Sequence, residues 1–237
     1  MLASSDRNQC ANVTGTANLI HRVEQDGFAI VSSCLNEELT QSLAAQLSEA
    51  SYAKRNLLAI PIVRELATSP AVRNLADTVL GKYCFAVKAT FFNKTQESNW
   101  KVAWHQDLTI MVRERREVAG FGPWTIKESI VHVQPTADIL SRILAIRLHL
   151  DESGADNGPL RVIPSSHKHG RLSSEQVSAY GRADCVVCMV PRGGALLMRP
   201  LLLHASSACS VPKPRRVIHL EFSADELPQG LSWFDRV

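Results

Sequence analysis

The chain has 237 residues, 45% hydrophobic and 21% charged, a composition that excludes a disordered protein and supplies enough apolar side chains for a core. Its 26 Lys and Arg against 23 Asp and Glu leave a formal charge of +3, too even a balance for a surface that coats nucleic acid, so no nucleic-acid partner is expected. No run approaches the roughly 20 apolar residues of a membrane span, the polar opening Met1–Gly15 lacks the apolar centre of a secretory signal, and six scattered cysteines make no disulfide framework; the expectation is a cytoplasmic protein with reduced thiols and a loose tail over 1–15.

After that tail the first third reads helical. Ala17–Gln25 has helical periodicity, and the Asp26-Gly27 turn leads into a short apolar strand, Phe28–Val31. Asn36 can cap a second helix, where Glu37 and Glu38 suit the positive N-terminal end and Leu39, Leu43 and Leu47 recur on one face. Ser69 followed by Pro70 reads as a cap and first-turn proline of a further helix, which turns Val72, Leu75, Ala76 and Val79 inward and stops at Gly81.

From Tyr83 the pattern changes to short apolar or alternating runs between turn residues: CFAVKATFF, KVAWH, RILAIRLHL, GPLRVIP, CVVCMVP, GALLMRPLLLHA and RRVIHLEFS. Such spacing predicts a β domain built as a sandwich, barrel or jelly roll. Leu108–Asp138 breaks this rhythm, and an insertion of that length in a compact domain is more often a functional lid than a structureless loop.

Chemistry concentrates at His105-Gln106-Asp107. In extended backbone, residues two apart share a face, so the imidazole and carboxylate can converge on one ion while Gln106 points away. An isolated H-x-D is weak evidence, since a surface His beside an Asp is common. A third donor, His204, completes a two-His, one-carboxylate facial set of the type used by non-haem Fe(II) oxygenases. Arg215, eleven positions on, offers a planar fork for a carboxylate; the competing reading of Arg215 and Arg216 is a solvated basic pair. Cys185 and Cys188 with His167 and His169 could be imagined as a zinc site, but positions three apart in a strand face opposite sides, which favours buried thiols.

WHQD, the block Leu150–Gly170 (LDESGADNGPLRVIPSSHKHG) and the segment from His204 to Arg215 together make the sequence similar to the phytanoyl-CoA dioxygenase (PhyH-like) family of Fe(II)/2-oxoglutarate oxygenases, over roughly Phe28 to Phe222. Ser165 stands where members commonly carry Gly. The resemblance implies a mainly β fold with flanking helices, a double-stranded β-helix (jelly roll, cupin-like), in a single domain over 16–237: a helical buttress at 16–81, a jelly-roll core at 83–223 and the insertion at 108–138. It also implies Fe(II) held by His105, Asp107 and His204, 2-oxoglutarate anchored through Arg215 with Arg147 nearby, and O2 as the oxidant. Hydroxylation of a small-molecule substrate, with release of succinate and CO2, is the reaction implied.

Strand alternation then turns Val217 and His219 to the same inward face as Arg215, with Arg216, Ile218 and Leu220 to the other layer. Asn93 is a further candidate co-substrate contact, with a strand-end turn role as the competing reading. Trp124, His132 and Gln134, in the insertion, are the candidate substrate contacts, against a lid packed by its own Trp124 and Phe121. His167 and His169 are expected to shape the fold rather than bind metal. Two rival functions remain: a non-catalytic jelly-roll binding protein, for which the donor set has no use, and a cupin-like metal enzyme independent of 2-oxoglutarate, which would not need Arg215.

Overall fold

The computed structural model describes residues 15–47, 53–94, 101–180, 183–209 and 213–237, so the expected tail over 1–15 lies, except for Gly15, outside the described residues. The helical third contains α1 (Thr16–Gln25), β1 (Phe28–Val31), α2 (Glu37–Gln46), β2 (Ala53–Lys54), α3 (Pro61–Thr68) and α4 (Pro70–Leu80). The Asn36 side chain accepts from Leu39 N at 2.8 Å, capping α2 as its sequence predicts. Ser69 behaves differently. Its hydroxyl donates to Leu66 O at 2.7 Å, so its side chain closes α3, while at the N-cap of α4 it contributes only its carbonyl, which accepts from Val72 N and Arg73 N, ahead of Pro70 in the first turn. The helix α3 was not anticipated: Pro61 starts it and Val63, Leu66 and Ala67 form its buried face.

The remaining strands are β3 (Phe85–Lys94), β4 (Val102–His105), β5 (Ile110–Val112), β6 (Trp124–Lys127), β7 (Ile130–Val133), β8 (Leu144–His149), β9 (Leu160–Val162), β10 (Val186–Cys188), β11 (Ala195–Met198), β12 (His204–Ser206) and β13 (Arg215–Ser223). Short helices α5 (Ala137–Ser141) and α6 (Ser174–Tyr180) lie between them. They pair antiparallel in a six-stranded sheet, β1-β11-β8-β13-β3-β2, and a four-stranded sheet, β10-β9-β12-β4. Phe28, Ile30, Ala145, Leu196 and Met198 from the first pack against Leu160, Val162 and Cys188 of the second, so the sheets face each other across a shared interior. The outer face of the large sheet, including Leu144, Ile146, Leu148, Ile218, Leu220 and Phe222, packs on Val23, Leu43, Leu66, Val72 and Ala76 of the helices. Each such large apolar side chain contributes about 1.5–3 kcal/mol on burial.

Two features of the sequence are resolved differently from expectation. The run GALLMRPLLLHA is two strands in two sheets, because Pro200 cannot supply a ladder N–H and the chain turns there. The insertion 108–138 is not strandless: β5, β7 and β6 form a three-stranded sheet of its own. Its Ile110, Val112 and Val133 pack with Phe85, Val87, Leu227, Leu231 and Trp233, which ties it to the C-terminal segment.

Ser165, the glycine position of the family pattern, has φ 64°, a left-handed conformation that costs a side chain roughly 1–2 kcal/mol. Its hydroxyl donates to Gln25 O at 2.7 Å and its N–H to Asp26 O at 2.8 Å, tying this loop to the end of α1. His167 strengthens the same junction, with Nε2 bonded to Glu24 O at 3.1 Å, and His169 stacks against Tyr180, so both serve the fold. Cys188 is buried between the sheets while Cys185 packs with Ile163 and Leu203, an arrangement that supports the thiol reading over zinc.

Candidate metal centre

The period-two backbone of the large sheet builds one wall of the site. Opposed residues on its inner face form successive cross-strand rows: Lys94 and Arg215; Phe92, Val217 and His149; Thr90, His219 and Arg147; Lys88, Glu221 and Ala145. The four-stranded sheet supplies the opposite wall, where β12 and β4 place His204 directly across from His105 with ring centroids 4.1 Å apart.

Asp107 follows β4 and is held by its own backbone, which donates to Pro200 O at 2.9 Å. Between the two, Gln106 points away as expected and does structural service. Its Nε2 donates to Leu201 O at 2.6 Å and Gly170 O at 2.9 Å, and its Oε1 accepts from Leu172 N at 2.8 Å. The middle residue of H-x-D therefore locks the loops that carry its neighbours and His204.

His105 Nε2 lies 3.9 Å from Asp107 Oδ1, and His204 Nε2 lies 3.7 Å from Asp107 Oδ2. One donor atom from each residue falls within 4.8 Å of the others, and this is the only such group of three or more among the described residues. Each imidazole donates through Nδ1 to a carbonyl two residues earlier, His105 to Ala103 O and His204 to Leu202 O, both at 2.8 Å. A carbonyl only accepts, so the proton is fixed on Nδ1 and the Nε2 lone pair of both rings is directed to the shared point. Burial alone would raise the Asp107 carboxyl, but His204, His219, His105 and Lys88 outweigh it and hold it well below the usual carboxylate range. Burial pushes the His204 imidazole down to about 4, so it is neutral at physiological pH. Two imidazole Nε2 atoms turned to one point beside an ionised carboxylate fit a divalent iron ion with open positions.

Arg215 lines the same pocket. It is buried, its Nε has no hydrogen-bond partner, and it forms no ion pair among the described residues. A guanidinium in that condition fits an incoming carboxylate. Arg147 also lines the pocket. Asn93 does not: Phe92 and Lys94 face the interior, so Asn93 between them faces the other side, paired in register with Arg216. Trp124 packs in the apolar cluster of the insertion, with Arg115 5.9 Å from its ring centre, and neither His132 nor Gln134 lines the pocket. His132 is buried with both ring nitrogens unpartnered.

Sequence reading missed Lys88, Lys94 and Glu221, all pocket-lining. The signal available was two lysines at even spacing, with Thr90 and Phe92, on one face of an otherwise buried β3.

A jelly roll with this donor set in its interior and, in the same pocket, an arginine with no ion pair among the described residues defines a class, the non-haem oxygenases that use a 2-oxo acid. Solved structures share the fold. The alpha-ketoglutarate-dependent epimerase SnoN from nogalamycin biosynthesis superposes with a TM-score of 0.64 at 17% identity, covering 93% of each chain. HygX from Streptomyces hygroscopicus, solved with nickel and 2-oxoglutarate bound, gives 0.66 at 14% identity over 94% of this chain and 90% of that one. EctD from S. alaskensis, in its apo form, gives 0.68 at 18% identity over 96% and 82%. No curated protein sequence matches significantly. The chain belongs to the phytanoyl-CoA dioxygenase (PhyH) family, which it matches over residues 23–217. It is thus a non-haem 2-oxoglutarate-dependent oxygenase, with iron(II) as cofactor and 2-oxoglutarate and O2 as co-substrates.

Proposed function

We propose that the protein is a dioxygenase that hydroxylates a small molecule and releases succinate and CO2. The observation that carries this reading is the convergence of His105, Asp107, His204 and the unpaired Arg215 on one pocket. His105, Asp107 and His204 hold the iron through Nε2, a carboxylate oxygen and Nε2. Arg215 takes the distal carboxylate of 2-oxoglutarate, exchanging an unpaired buried cation for a charge-assisted pair. Held there, iron with its 2-oxo acid would supply the oxidising chemistry that hydroxylation of carbon requires. The chain's own contribution is to fix these groups, and the apolar side chains Phe92, Val102 and Leu160 limit water around them. No helix among the described residues is long and apolar enough to cross a membrane, in keeping with a small-molecule substrate taken from water.

Anaerobic titration of the apo-protein with Fe(II) and then 2-oxoglutarate tests the reading. A weak visible charge-transfer band is expected on the second addition, and succinate on admitting air. Iron binding with no band would favour a cupin-like enzyme independent of 2-oxoglutarate.

A further inference from the structure

The pocket holds more positive charge than a metal and a co-substrate can balance. Four cationic side chains line it, Lys88, Lys94, Arg147 and Arg215, against two carboxylates, Asp107 and Glu221. Burial lowers Lys94 to about 8 and Arg147 to about 10, so both are still protonated at neutral pH. Burial alone would also discharge Lys88 and Glu221, but each keeps the other ionised, the lysine above its ordinary value and the carboxyl below. The excess is therefore two positive charges. A divalent metal adds two and a 2-oxo diacid removes two, so the excess persists with both in place. A cavity of low dielectric tolerates such an excess poorly, and an anion entering next relieves it.

Strand register divides the pocket between its two acids. Along the inner face the rows run from Lys94 and Arg215 at one end to Lys88 and Glu221 at the other, six residues apart on both β3 and β13. At about 3.4 Å per residue that is roughly 20 Å of strand. The proposed function commits the Arg215 end to 2-oxoglutarate. The Lys88 end adjoins the insertion, because Lys88 Nζ donates to Thr109 O at 3.4 Å, in the segment that leads from Asp107 into β5. A second of its three N–H groups meets Glu221 Oε1 at 2.7 Å, an oxygen that His219 Nε2 also contacts at 3.2 Å. The third has no acceptor among the described residues, and the side chain lines the cavity.

We propose that the primary substrate is a carboxylic acid, ionised at neutral pH, whose carboxylate docks on the third N–H of Lys88 at the insertion end of the pocket. The assignment rests on the 2-oxoglutarate reading and deepens it by naming the substrate class. Glu221, which shares Lys88, is then an internal competitor of the substrate. It also disfavours a phosphate dianion, which would set two charges against that carboxylate.

Hexanoate and hexanamide test this, since they share a chain and differ in charge. Calorimetry measures their affinity for the anaerobic protein holding Fe(II) and saturating 2-oxoglutarate, and the visible charge-transfer band reports that the co-substrate stays in place. Wild type should prefer hexanoate by roughly 10–100-fold, the range of a hydrogen bond to a charged group. K88M/E221Q leaves the net charge of the pocket unchanged and no buried carboxylate stranded, yet should lose that preference. E221Q alone frees Lys88 and should raise hexanoate affinity several-fold, an opposite sign that general damage to the fold would not give. Equal binding of acid and amide, a preference that survives in K88M/E221Q, or a band erased by hexanoate would overturn the assignment, as would tighter binding of hexyl phosphate than of hexanoate. A wild type that shows no band before any probe is added would overturn the 2-oxoglutarate reading, and with it the division of the pocket on which the assignment rests.

Discussion

His105 and His204 are prepared in the same way, each with Nδ1 donating to a carbonyl two residues back and Nε2 left bare. This local bond was not visible as a motif, since it arises only once the strand ends are built: extended backbone brings the i−2 carbonyl alongside the ring. H204A should lower Fe(II) affinity by more than the roughly 10–100-fold typical of losing an outer-shell partner, as measured by metal competition. Ser165 gives a second residue-scale test. Its left-handed backbone favours glycine, while its hydroxyl bond to Gln25 O favours serine. S165A loses the bond and keeps the strain, so it should destabilise by about 1 kcal/mol in urea unfolding. S165G trades one for the other and should lie within about 0.5 kcal/mol of wild type. Lys88 and Glu221 were hidden from the sequence for a different reason. They are 133 positions apart, and only the pairing of β3 with β13 makes them neighbours.

Elements with clear local chemistry were legible: β1 has the predicted bounds, α2 is capped by Asn36, and the alternation of β13 turns Arg215, Val217 and His219 to one side. The misreadings involve competition between elements. Ser69 could serve either the helix before it or the one after, and the structure gives its hydroxyl to the former. The insertion reads as irregular because its strands are three or four residues long, too short for a periodic signal, yet they pair with one another. Within that sheet His132 is buried in β7, and burial, reinforced by Lys88, Lys127 and Arg55 and opposed by Glu221, pushes its imidazole from 6.5 down to about 4. The sign follows directly. Above pH 6.5 the ring is neutral in both folded and unfolded chains; on acidification the unfolded chain takes the proton first, so stability falls between about 6.5 and 4 and levels below. The loss from this one group is up to about 3 kcal/mol. H132Q should flatten the pH dependence of unfolding free energy in that window by up to about one proton; an unchanged slope would remove His132 from the account.

Across the whole molecule, Arg215 stands buried in the pocket with no ion pair among the described residues, so a bound carboxylate should add to stability. With metal bound, 2-oxoglutarate at about 100 times its Kd should add about 2.7 kcal/mol. For a chain of this size that corresponds to a rise in Tm of roughly 5–10 °C. Succinate, which has the distal carboxylate but no 2-oxo group, should give a smaller rise in the same scan. The β class was legible because runs of short strands are a linear signal, and the family resemblance singled out the jelly roll among the sandwich, barrel and jelly roll that those runs left open; the two-sheet division and the insertion's own sheet are not linear signals, since they depend on which strand pairs with which. The strand β13 carries Arg215, His219 and Glu221 toward the pocket and Ile218, Leu220 and Phe222 toward the helices, in strict alternation. Sliding it by one residue would put guanidinium and carboxylate into the apolar layer and bare the pocket of its charges in the same movement. Chemistry and core therefore share a single parity check: a chain that has assembled this strand wrongly can be neither stable nor active, so every molecule that survives folding arrives with its site correctly written.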